Sequence, residues 1–247
     1  MPQAQDRRVY RISGADHVGF LQNLVTNNVT AKDTGLVYTA LLTPQGKYLA
    51  DFFLVPDGDG RLLDVSTTLA DDLIRRLTMY RLRSDVTIEE TEMHVYRGLG
   101  IAPDDGFADP RHELMGWRAY RDTPQDASDI DWDAARVEAC IPESGIELIP
   151  NETYPLEAGF ERLSGVDFRK GCYVGQEVTA RMKHKTELRK GFATVAVIGV
   201  APVGTQIERD GKSVGTLFTQ AGGKGIAYLR FDRAGADMKA GTAEVSF

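Results

Sequence analysis

The sequence predicts an α+β body over residues 1–187 followed by a small β-barrel over 188–247. Three observations carry this. Helical spacing of apolar residues and hairpin signals alternate through the first part of the chain. That alternation stops near Arg189, after which only short strand-like segments with frequent glycines remain. A 247-residue chain is also long for one small domain and short for three.

The elements follow in order. Residues 8–12 read as a strand. Asp16 is placed to cap a helix through Leu24, with Val18, Leu21 and Val25 near helical spacing. Strands over 37–42 and 47–55 are joined by Thr43-Pro44-Gln45-Gly46, whose proline and glycine are turn chemistry. Asp57-Gly58-Asp59-Gly60 is a second turn, leading into a strand over 61–65. Leu69, Leu73, Ile74 and Leu77 then mark a helix to about Tyr80. Strands follow over 86–90 and 93–101.

Residues 103–133 hold nine acids, three basic residues and three prolines. They read as exposed loops crossed by one strand over 114–121. A short helix over 132–140 ends at Ile141-Pro142. Residues 143–168 are irregular, the kind of stretch that lines ligand sites. Helix returns after Gly175, with Val178 and Met182 as its buried pair. In the barrel, strands are expected over 192–198, 206–209, 213–219 and 224–231, with Asp210-Gly211 as a hairpin turn.

Composition narrows the function classes. Hydrophobic residues make up 42% and charged residues 26%, ordinary for a globular domain. No apolar run reaches the roughly 20 residues of a membrane span, and residues 1–11 show no apolar core of a signal peptide. Two cysteines, Cys140 and Cys172, make neither a disulfide framework nor a zinc ligand set. The four histidines are scattered, so no metal site is read. A cytoplasmic protein, or an organelle-matrix protein in a eukaryote, is the expectation. The net charge is −7, yet residues 169–190 carry +5 and leave −12 elsewhere. Such an island suits an anionic ligand or serves as a solvated helix end. It is too small for sequence-independent RNA binding.

The segment Lys170-Gly171-Cys172-Tyr173-Val174-Gly175-Gln176-Glu177 stands out as a built site. It sets a cysteine between two glycines, after a lysine and before an expected helix start. That setting should ionise a thiol more readily than a free one, with Lys170 as the nearby cation. The competing reading is a buried structural cysteine, which Cys140 fits better.

The same eight residues resemble the signature of the YgfZ-type folate-binding proteins, relatives of the glycine-cleavage T-protein. The blocks 20–27, 38–47, 80–86 and Pro155-Leu156-Glu157-Ala158-Gly159 are similar to family blocks in the family's order. The resemblance implies a T-protein-like body and a bound tetrahydrofolate or one-carbon derivative. It also implies a role with iron–sulfur proteins or their assembly factors, including tRNA-modifying cluster enzymes. Under it, Cys172 and Lys170 form the reactive pair, as nucleophile, redox group or cluster ligand. Glu157 would hold the pterin, a match for a carboxylate against an aminopyrimidine edge. Tyr173, with Tyr154 and Phe160, would stack on it or fill the core. Asn27 would reach the ligand or cap the first helix. Arg181 and Arg189, with Lys183 and Lys185, would hold a glutamyl tail or form a solvated face.

Aminomethyl transfer of the T-protein kind is the alternative reading, and an RNA-binding module a second. T-protein relatives use an aspartate early in the helix after the strand over 61–65. Here that stretch runs Asp64-Val65-Ser66-Thr67-Thr68-Leu69-Ala70-Asp71-Asp72, without their asparagine-containing pattern, and Asp72 reads as solvent-facing. The cysteine of the Lys-Gly-Cys-Tyr block is likewise foreign to T-proteins. Both departures favour an accessory role over transfer.

Overall fold

The computed structural model describes residues 6–30, 35–124, 126, 129–184 and 187–247. Lys185 lies outside them. The first sheet has the order β2-β3-β4-β1-β5 and is antiparallel throughout. Its strands are β1 (Arg7–Ser13), β2 (Val37–Leu42), β3 (Tyr48–Asp57), β4 (Gly60–Ser66) and β5 (Thr87–Glu90). Two helices, α1 (His17–Leu24) and α2 (Thr67–Arg81), cover one face. Strand alternation sets what they meet. Phe52 and Leu54 of β3 and Leu63 and Val65 of β4 join Leu21, Leu24, Leu73 and Leu77 in one buried cluster.

The opposite face carries Tyr38, Phe53, Leu62 and Val9 into a second cluster. The same register puts Asp51 and Asp64 on that face: Ala40 pairs with Asp51, and Phe53 with Asp64. Against it lie a small sheet, helix α3 (Trp132–Ala139) and the irregular segment 141–173. The small sheet has the order β6-β8-β7, from β6 (His94–Gly98), β7 (Phe107–Ala108) and β8 (Trp117–Arg121). Helix α4 (Gln176–His184) follows the Lys-Gly-Cys-Tyr turn.

The C-terminal unit is a closed barrel of order β10-β11-β12-β9-β14-β13. Its strands are β9 (Lys190–Ile198), β10 (Thr205–Arg209), β11 (Lys212–Ala221), β12 (Lys224–Arg230), β13 (Met238–Ala240) and β14 (Ala243–Ser246). It has its own core, with Val195, Ile207, Leu217, Leu229 and Val245 among its members.

Several sequence expectations are corrected here. The barrel has two more strands than the four foreseen. β13 and β14 span three and four residues, too short for an alternation to show. The strand foreseen over 114–121 begins only at Trp117, because Glu113–Met115 turns as a 3-10 segment. The strand foreseen over 93–101 ends at Gly98, where the ladder with Trp117 ends. Asp16 precedes α1, but its carboxylate accepts from the Asp85 N–H of a neighbouring turn and does not cap the helix. In α4 the buried side chain is Thr179, while Val178 and Met182 are half-buried.

Candidate functional site

Three places hold the chemistry-bearing residues. The first is the turn before α4. Gly175 has φ +84°, and a Cβ there would lie 2.6 Å from the Thr43 carbonyl oxygen. Only glycine permits both the positive φ and the close approach, so the β2–β3 hairpin is locked against the start of α4. Upstream of this lock Cys172 is solvent-exposed. Lys170 behaves differently from a surface lysine. It is buried, and its Nζ donates to the carbonyl oxygens of Val25 (2.5 Å) and Asn27 (2.9 Å). It also lies 5.2 Å from the centre of the Tyr173 ring. Burial pushes the ammonium down to about 8, against a smaller upward pull from Asp167. Lys170 therefore ties the cysteine turn to the end of α1.

Other expected ligand groups are engaged within the protein. The Asn27 amide donates to the carbonyls of Tyr38 (2.9 Å) and Ser164 (2.6 Å) and accepts from the Asn28 N–H. Tyr173 is buried in the body core, and burial raises its hydroxyl pKa. Phe160 is fully buried, its ring tilted against Tyr38. Arg181 is exposed and pairs with Glu177 one turn away, while Lys183 pairs with Glu161. Arg189 is exposed, and its carbonyl accepts from Phe231 N–H. Cys140 is half-buried in a left-handed cap of α3, where burial raises its thiol pKa. Asp72 is exposed and paired with Arg75 and Arg76.

The second place is the seam between body and barrel. Glu157 is half-buried, and its Oε2 accepts from the Tyr228 hydroxyl of β12 at 2.6 Å. Burial and this bond hold the Tyr228 phenol well above its usual range. The Glu157 carbonyl also accepts from Phe192 N–H of β9. Phe192 in turn packs edge-on against Tyr228 and Phe218. The carboxylate thus sits beside a cluster of aromatic rings.

The third place was missed by the sequence reading. A cavity of about 340 Å³ lies by Asp51 and reaches the start of α2, and Arg7, Arg97, Arg111, Arg118 and Arg136 line it. Arg118 bridges Asp64 (3.0 Å) and Asp109 (3.2 Å). Arg111 holds Asp109 with two parallel hydrogen bonds, and Arg7 holds Asp64. Burial would raise the Asp109 carboxyl, but Arg111 and Arg118 outweigh it and keep the pKa far below the usual range. Behind the guanidiniums stand aromatic rings: Phe53 beneath Arg118 at 4.0 Å and Trp132 beneath Arg97 at 4.0 Å. A signal for this cluster existed. Asp51 and Asp64 stand between apolar neighbours at buried strand positions, and a buried charge requires partners.

Residues 189–247 match the family model of the CAF17 C-terminal beta-barrel domain. The chain is 29% identical to the mitochondrial iron–sulfur cluster assembly factor IBA57 homologue of Pyricularia oryzae, over 92% of this chain and 71% of that protein. It is 33% identical to the homologue of Mycosarcoma maydis, over 74% of this chain and 54% of that protein. For human IBA57 the identity is 29%, over 90% of this chain and 75% of that protein. These relatives are named as mitochondrial, which agrees with the organelle-matrix expectation and lends nothing to the cytoplasmic one. The glycine cleavage system aminomethyltransferase T of Bartonella henselae superposes with a TM-score of 0.76, covering 98% of this chain and 82% of that one. At 13% identity this establishes the T-protein fold alone. The YgfZ-type resemblance is accordingly narrowed: the chain is similar along most of its length to the IBA57 iron–sulfur cluster assembly factors, a related but distinct family, and it ends in a CAF17-type barrel on a T-protein-like fold.

Proposed function

We propose that this chain is an iron–sulfur cluster assembly factor in which Cys172 meets the cluster or its carrier. The reading rests on the similarity to the IBA57 proteins, and the observation that carries the site is the exposure of Cys172 on a turn pinned at both ends. Lys170 anchors it to α1, and Gly175 locks it to the β2–β3 hairpin. Only two cysteines are present, and Cys140 sits half-buried elsewhere. Cys172 would therefore supply one thiolate to a cluster whose remaining ligands come from a partner assembly factor or client. tRNA-modifying cluster enzymes are one class of client on this reading. The test is anaerobic titration with a cluster-loaded assembly protein, followed by visible circular dichroism and co-elution. Cys172→Ser should abolish the spectral change while Cys140→Ser leaves it intact. An unchanged titration in Cys172→Ser would remove the assignment.

A second reading, tetrahydrofolate binding, is favoured by the seam around Glu157. A half-buried carboxylate beside the Tyr228 and Phe192 rings combines an acceptor for an aminopyrimidine edge with aromatic faces for a heterocycle. Glu157→Gln should weaken tetrahydrofolate binding by about 1.5–3 kcal/mol through loss of a charge-assisted bond. Equal affinity of the two proteins by calorimetry would count against it. Aminomethyl transfer gains nothing from the fold likeness, and exposed Asp72 offers no enclosed carboxylate for it.

A further inference from the structure

We propose that the arginine-walled cavity of the body is a binding site for a compact, multiply anionic metabolite, held through carboxylate or phosphate oxygens. This is independent of the cluster role assigned to Cys172.

Several features converge on it. Its five arginines come from separate parts of the chain: β1, β6, the loop before β8, β8 and α3. Guanidiniums repel one another and are seldom buried unless paired; Asp64, Asp109 and Glu147 pair with four of the five here, and the cavity still gathers all five along one wall. Burial, reinforced by repulsion from Arg118 and Arg111, pushes the Arg97 pKa well down. Glu143 and Asp109 offset part of that repulsion, and an added anion would relieve more of it.

The N-terminus of α2 opens on the same cavity, through Ser66, Thr67 and Thr68. This helix is 15 residues long, its Ser66 makes no side-chain cap, and its first turn carries no acid. Its end therefore presents N–H groups and the positive pole of the helix to the cavity. The Arg136 side chain is buried, and its Nε makes no hydrogen bond. A Glu143 carboxylate oxygen lies 3.3 Å from it outside hydrogen-bond geometry, while the Nη atoms bond to Glu147 and Asp133.

Acids on the wall are engaged or peripheral. Asp51 accepts from the hydroxyls of Tyr38, Tyr48 and Ser144. Asp133 and Glu143 face Arg136, and Asp6 is exposed.

The lining also limits the ligand. Among the described residues it contains no aromatic side chain, and its apolar members are Pro142 and Ile146. The volume of about 340 Å³ sits at the low end of the roughly 300–1,000 Å³ of small-molecule sites. A flat heterocycle would find no stacking face there, because Phe53 and Trp132 stand behind the guanidiniums. A small polyanion meets forked donors, hydroxyls and a helix pole.

Isothermal titration of the full chain with citrate, and separately with pyrophosphate, tests this, with sodium chloride holding the ionic strength constant. Saturable binding of at least one is expected, and which one binds tells carboxylate from phosphate recognition. Arg97→Gln should weaken it at least tenfold. Thr67→Glu should do the same. That position is exposed and a carboxylate at a helix start is favourable, so this variant stays folded while occupying the anion position. The proposal is overturned if neither anion binds above the chloride control, or if Thr67→Glu binds as tightly as the parent.

Discussion

Replacing Glu147 by alanine should destabilise the protein by about 3–5 kcal/mol and release the barrel before the body. Glu147 is 1% exposed and joins the two units. Its carboxylate accepts from Thr219 Oγ1 of β11 at 2.6 Å, Thr219 N at 3.3 Å, Glu143 N at 2.8 Å and Arg136 Nη1 at 3.3 Å. Alanine removes all four hydrogen bonds at once. Arg136 keeps Asp133 and Glu143, but both are partly solvated, so its one fully buried counter-charge is gone. Two backbone N–H groups lose their partners as well, at about 1–3 kcal/mol each when dry. Water entering the enlarged space returns part of this, which leaves the total near the cost of breaking a buried pair. Glu147→Gln retains an acceptor for Thr219 and should cost about half as much. Urea unfolding reads the effect. Trp117 and Trp132 are the two tryptophans, both in the body, so fluorescence reports the body while far-ultraviolet circular dichroism reports both units. With a slope of about 3 kcal/mol per molar, the midpoint should fall by about 1–1.7 M. The two probes should also separate, the barrel signal changing first. A shift below about 0.3 M with coincident curves would refute the clamp.

Cys172 should alkylate faster than Cys140 at pH 7, since it is exposed whereas burial raises the Cys140 thiol; site-resolved mass spectrometry measures both, and equal rates would deny the accessible thiol. Gly175→Ala should destabilise by about 1–3 kcal/mol, because its φ of +84° is strained for alanine and the added Cβ would stand 2.6 Å from the Thr43 carbonyl oxygen; a neutral result in chemical denaturation would show the turn relaxing. Lys170 should shape stability at alkaline pH. Its pKa is about 8 folded against an ordinary 10.5, so the unfolded chain holds the extra proton between these values and stability rises across that window. Lys170→Met should flatten the rise in pH-dependent melts, and an unchanged profile would show that the two carbonyl bonds keep the ammonium charged.

The sequence by itself determined the elements whose signals are local. The 3.6-residue spacing of Leu69, Leu73 and Leu77 defined α2, Thr43-Pro44-Gln45-Gly46 defined the β2–β3 hairpin, and frequent glycines with Asp210-Gly211 marked the barrel. It also singled out the Cys172 turn, since glycine requirements are written in the chain itself. Tertiary structure decided what each polar group faces. Lys170 looked like a partner for the thiol, yet its ammonium is held by two carbonyls of the α1 end, more than 140 positions away in sequence. Glu157 reads in sequence as a carboxylate for a ligand, and only the fold shows it as the acceptor of Tyr228 across the seam. Of the arginine cavity, only the buried strand acids Asp51 and Asp64 left a trace in the sequence. Arg7, Arg97, Arg111, Arg118 and Arg136 form no motif, and only the pairing of β1 with β4, of β6 with β8, and the packing of α3 bring them together. Charges in a chain interact through space, so their partners belong to the fold.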